Sequence, residues 1–131
     1  QLQLALGDID NAILELKKLD QKVVEKSSLD IQFLRVMSYI KDEKLIKAKS
    51  LLAELKKIAI DDPNIYSLSG DLAFAENMYD SASTLYHEAL KIAPKFIPAY
   101  LGLSKIALFN RQDGIADSYL QNILSIDEYY V

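Results

Sequence analysis

The chain is poor in residues that do chemistry. His87 is its only histidine, and it has no cysteine. A general base must stand beside a nucleophile or acid that it can orient, and a zinc site needs three or four nitrogen, sulfur or oxygen ligands. His87 lies between Tyr86 and Glu88 in a helical run and is read as a solvated surface histidine. The acidic pairs Asp61-Asp62 and Asp127-Glu128 are adjacent in sequence and are expected at helix starts. There they serve as caps and dipole partners, not as carboxylates flanking a scissile bond. No glycine-rich phosphate loop or nucleophile elbow is present. Lys41, Lys44, Lys47, Lys49, Lys56 and Lys57 cluster, but Asp42, Glu43 and Glu54 interrupt them, as on a solvated helix face. The expectation is no catalytic residue, no metal, no cofactor and no nucleic-acid partner.

Composition narrows the class further. Of 131 residues, 50% are hydrophobic, with only 4 glycines and 3 prolines, which is too apolar for disorder and enough for a continuous core. Fifteen basic residues stand against 19 acidic ones, a formal charge of −4, which is unfavourable for binding a phosphate backbone. No apolar run is long enough to span a bilayer. The chain opens on Gln1 without a leader, so it is expected to be part of a longer protein. The missing cysteines suit the cytoplasm and a bacterial periplasm or envelope equally.

The elements that position these residues follow from a repeat. Ala12, Ala48, Ala82 and Ala116 are separated by 36, 34 and 34 residues. A large apolar residue follows each by four (Leu16, Leu52, Tyr86, Leu120), and another apolar one stands at seven (Leu19, Leu55, Ala89, Ile123). Both spacings fall on one face of a helix. A second set of helices is predicted over 29–41, 64–77 and 97–110. Asp62-Pro63 reads as an N-cap followed by a first-turn proline, and Pro94 must end the run before it. Pro98 opens the next helix. Asn77, tolerant of a left-handed backbone, precedes Asp80 as an expected N-cap, and Gly7-Asp8 occupies the equivalent turn. The segment Asp20 to Ser28 carries two extra residues that lengthen or loosen the first connection.

These residues resemble the tetratricopeptide repeat, a 34-residue helix–turn–helix unit. Pro63 to Phe96 carries Tyr66, Gly70, Ala82, Tyr86, Ala89 and Pro94 at signature positions, while Ser69 and Ala73 depart from the pattern. Ile97 to Tyr130 carries Tyr100, Leu103, Ser104, Ala116 and Leu120. Leu29 to Asp62 keeps Tyr39, Ala48 and Leu52 but has Val36 where a small residue is usual. The resemblance implies an all-α fold, a right-handed solenoid of antiparallel helix pairs, in one domain spanning 1–131. Its units would be a partial repeat at 1–28 and full repeats at 29–62, 63–96 and 97–130. Both ends look cut, so self-association through truncated repeat ends is expected. The stretch from Ala89-Leu90-Lys91-Ile92-Ala93-Pro94 to Pro98-Ala99-Tyr100-Leu101-Gly102-Leu103 also resembles bacterial envelope arrays, including the repeat lipoproteins of exosortase systems.

The family geometry implies a concave groove lined by the first helix of each pair. The side chains it would place there include Phe33, Met37, Asp71, Phe74, Leu101, Lys105 and Phe109, with Ser67, Leu68, Gly102 and Leu108 among the other positions on that face. Of these only Lys105 suits the carboxylate clamp of the best-known members. The expected function is a non-catalytic scaffold that holds a peptide, helix or partner protein in an apolar groove, with Asp71 and Lys105 selecting orientation or charge. The alternative is a structural spacer within a longer array, with no specific groove ligand.

Overall fold

The computed structural model describes residues 9–11 and 26–128. The partial first repeat, including Gly7-Asp8, Ala12, Leu16 and Leu19, therefore lies almost wholly outside the described residues. All regular structure in the described residues is helical: Lys26–Lys41 (α1), Leu45–Ile58 (α2), Pro63–Ala75 (α3), Tyr79–Ile92 (α4), Ile97–Phe109 (α5) and Asp113–Glu128 (α6). Two compact units divide the chain, Gln1–Ile58 and Ala59–Val131.

In the first unit the chain turns back after α1 and packs α2 against it. Val36, Ala48, Leu52 and Leu55 are buried. In the second unit α3 pairs with α4 and α5 with α6, and α5 also packs on both α3 and α4. The core there is built on Ala73, Ala82, Tyr86, Ala89, Ala99, Leu103 and Ile106.

The 34-residue period extends to individual hydrogen bonds. The turns that join the two helices of each pair contain Glu43, Asn77 and Arg111, with φ of 61°, 64° and 58°. After these residues the amides of Lys44, Met78 and Gln112 donate to the carbonyls of Tyr39, Ala73 and Ala107, each at 2.8 Å. Such a bond, five residues back, closes a helix end around a left-handed residue and satisfies carbonyls that the helix leaves free. The next helix starts alike each time, with Ala48, Ala82 and Ala116 donating to Lys44, Met78 and Gln112. Three chemically different sequences thus make one turn. Only Asn77 among them is a residue that readily adopts this backbone.

Helix ends follow the local chemistry. Asp62 caps α3, its Oδ1 accepting from the Asn64 amide at 2.9 Å, with Pro63 in the first turn. The helix α4 stops at Ile92, before Pro94. Two expectations need correction. The N-cap of α4 is Met78, without a side-chain bond, and Asp80 lies inside the first turn. The turn hydrogen bonds at Asn77 and Met78 bring the chain into the helix earlier than Asp80 would. Asp127 and Glu128 end α6 and do not start a further helix. The run Leu120, Ile123, Leu124, Ile126 carries the helical period to that point with no proline or glycine to break it.

Candidate functional site

Tyr86 organises the second unit. Its side chain is fully buried, and its ring lies between two glycines. A Cβ added to Gly70 of α3 would fall 2.7 Å from the ring, and one added to Gly102 of α5 would come closer still. The Tyr86 hydroxyl donates to Oδ1 of Asp71. Burial raises the Asp71 carboxyl above the usual carboxylate range, against the opposing pull of the Tyr86 hydrogen bond and the Lys105 charge. The Tyr86 phenol is also pushed up, first by burial and then by the neighbouring carboxylate, so it remains a donor.

Residue sizes vary together at these positions. The counterparts of Gly70 and Tyr86 are Val36 and Leu52 one period earlier, and Ser104 and Leu120 one period later. Glycine accompanies the large ring, and a residue with a Cβ accompanies leucine. Val36, a departure from the family pattern in the sequence, is therefore matched by a smaller residue at the ring position. It is fully buried.

Beside Tyr86, α5 carries Lys105, whose Nζ lies 4.9 Å from the centre of the Phe74 ring. Phe74 meets Tyr79 edge-on at 5.2 Å, and the Tyr79 ring lies 4.6 Å from Phe109. Phe74, Tyr79, Lys105 and Phe109 thus join α3, α4 and α5 in one aromatic and cationic cluster. Phe109 is 60% exposed there.

The expected groove residues divide into three groups. Phe33 is buried in the first unit and offers no binding surface, because its side of α1 faces the core. Met37 of that unit is exposed. In the second unit Asp71 and Phe74 are half-buried and engaged with Tyr86, Lys105 and Tyr79, whereas Leu101, Lys105 and Phe109 are exposed. Other positions expected in the groove, Ser67, Leu68 and Gly102, are buried. Leu108, another groove position of the family geometry, is 53% exposed on this surface, and Tyr79 joins it without having been singled out. Tyr79 stands on the second helix of its pair, where the family pattern places no groove residue.

His87 is exposed on α4. Among the described residues no group of three or more His, Cys, Asp or Glu side chains converges as a metal site, and no helix is long and apolar enough to cross a membrane. Compared with protein-family models, curated proteins and solved structures, the chain gives no match.

Proposed function

We propose that this chain is a tetratricopeptide-like, non-catalytic interaction module that binds a peptide, helix or partner protein on the exposed side of α5. The observation supporting this is the composition of α5 against its burial. Between Ile97 and Phe109 the only residues that are not apolar are Tyr100, Ser104 and Lys105. A helix apolar all round is normally covered all round. Ala99, Gly102, Leu103, Ile106 and Ala107 are buried, yet Leu101, Leu108 and Phe109 remain about half exposed, with Lys105 among them. Leu101, Lys105 and Leu108 follow at spacings of four and three, the anchor pattern of a helix face that receives a ligand. Apolar burial would supply the affinity, and Lys105 would favour an acidic or carbonyl-rich partner segment.

A selection from a displayed peptide library, read against the chain and a Leu101→Glu/Phe109→Glu variant of equal helicity, tests this reading. Ligands that bind the parent and lose the variant support it. Ligands indifferent to the variant, or no enriched ligand, refute it. The burial of Phe33, Ser67, Leu68 and Gly102 favours the second reading, a spacer whose groove positions serve internal packing. An empty selection would favour that reading.

A further inference from the structure

The helices α3 and α5 each carry a single charged side chain, and the two are of opposite sign. In Pro63–Ala75 it is Asp71, and in Ile97–Phe109 it is Lys105. They meet where α5 packs on α3. Asp71 and Phe74 stand three residues apart and are therefore neighbours on one face of α3. The Lys105 ammonium lies 4.9 Å from the centre of the Phe74 ring, and its charge acts on Asp71. A cation above a ring at an exposed site is held weakly. Opposite charges at a half-buried seam attract more strongly than across water, so the carboxylate is what keeps the lysine in place.

The groups that act on Asp71 come from both helices packed on α3: the Tyr86 hydroxyl from α4, which donates to Oδ1, and Lys105 from α5. The other titratable groups of these helices are engaged or turned elsewhere. On α4, Glu88 pairs with Lys91 at 3.0 Å, Asp80 and His87 are exposed, and the Tyr79 hydroxyl donates to Asn77. On α5 the Tyr100 hydroxyl donates to the Pro94 carbonyl. Tyr66 and Glu76 each stand five residues from Asp71, around the helix from it. Repeat packing does not require the trio of Asp71, Tyr86 and Lys105. One period away on either side, Tyr86 is replaced by Leu52 and Leu120, and Asp71 by Met37 and Lys105.

We infer that Asp71 and Lys105 form a proton-operated latch on the α3–α5 seam: the ionised carboxylate holds the ammonium against Phe74, and the protonated carboxyl releases it to solvent. Burial keeps the Asp71 proton on at higher pH than an ordinary carboxylate would, which brings the latch above the usual carboxylate range. The Tyr86 hydroxyl anchors the carboxyl in either state, because Oδ1 can accept its hydrogen bond with or without the charge. Lys105 is the one charge on α5, so the latch sets whether that helix presents a positive charge outward. The seam lies between helices of this chain, and the inference stands whether or not the exposed side of α5 binds a ligand.

The test is an NMR pH titration of the full chain with no ligand added, its amide spectrum showing it folded at each pH. At neutral pH the Lys105 ε-protons should be shifted upfield by the Phe74 ring and show cross-relaxation with the ring protons. Both signatures should fade on acidification. Their midpoint should equal that of the Asp71 carboxyl carbon and lie above 3.8. Asp71→Asn should remove most of both signatures at neutral pH, where acid unfolding plays no part. Reciprocally, Lys105→Met should raise the Asp71 midpoint, since a coupling acts equally on both partners. A Lys105 signal that ignores pH while Asp71 titrates would overturn the inference. So would a lysine that keeps its place over Phe74 in Asp71→Asn, or an Asp71 midpoint unmoved by Lys105→Met.

Discussion

Replacing Gly102 by alanine tests the packing around Tyr86 most sharply. The added Cβ would enter a ring already limited on its far side by Gly70 and tied at its hydroxyl to Asp71. Ordinary contact for a Cβ begins at 3.4 Å, and this one would lie more than an ångström inside that limit. Overpacking of this kind costs about 1–3 kcal/mol, and the constrained ring places it in the upper part of that range. Alanine in a helix interior returns about 1 kcal/mol relative to glycine, leaving a net loss of about 1–2 kcal/mol. With a urea dependence of roughly 2 kcal/mol per molar, the unfolding midpoint should fall by about 0.5–1 M. Gly114 provides the control, because a Cβ there meets nothing within 4 Å, in the exposed first turn of α6. Gly114→Ala should stabilise by up to about 0.5–1 kcal/mol. In a Tyr86→Leu background Gly102→Ala should lose most of its cost, a coupling of about 1 kcal/mol or more. Urea titrations followed by circular dichroism measure all of these. A Gly102→Ala protein as stable as its parent, or additive effects in the double variant, would refute the account of the ring.

Other consequences follow from single residues. Arg111→Gly and Glu43→Gly should each raise stability by about 0.5–1 kcal/mol in thermal melts, since an L-residue with left-handed φ is strained and glycine is not. Asp62→Ala should lower it by about 1 kcal/mol through loss of the α3 cap. Asp71 has a folded-state pKa above its ordinary 3.8, so the folded protein holds its proton more tightly than the unfolded chain. Its stabilising contribution is complete below 3.8 and is lost as pH rises through the raised value. Asp71→Asn should therefore gain stability relative to the parent as pH rises through that window, and parallel pH–stability curves would contradict the assignment.

Much of the helical organisation is legible in the sequence, because its signals are local. Pro63, Pro94 and Pro98 mark helix limits through a missing N–H, and Ala48, Ala82 and Ala116 repeat at positions where the buried face admits little volume. Asn77 announces a left-handed turn. Glu43 and Arg111 do not, and only the shared period places the same turn at all three. The binding surface is less legible, because exposure depends on which helix packs next. Phe33 and Leu101 stand at matched groove positions, yet the first is buried and the second exposed. The Tyr86–Asp71 bond joins residues fifteen apart on two helices, and no local pattern signals it. The size exchange among Val36, Gly70 and Ser104 is visible in the sequence once Leu52, Tyr86 and Leu120 are read beside them.

The most direct test of the interaction reading is a chemical-shift map of the chain with a ligand selected from the displayed library. The account predicts that the largest amide and methyl changes occur at Leu101, Lys105, Leu108 and Phe109, with the buried core at Val36, Leu52 and Ala82 unmoved. Changes centred on the lysine-rich surface of α2, or on His87 and its neighbours on α4, would contradict it.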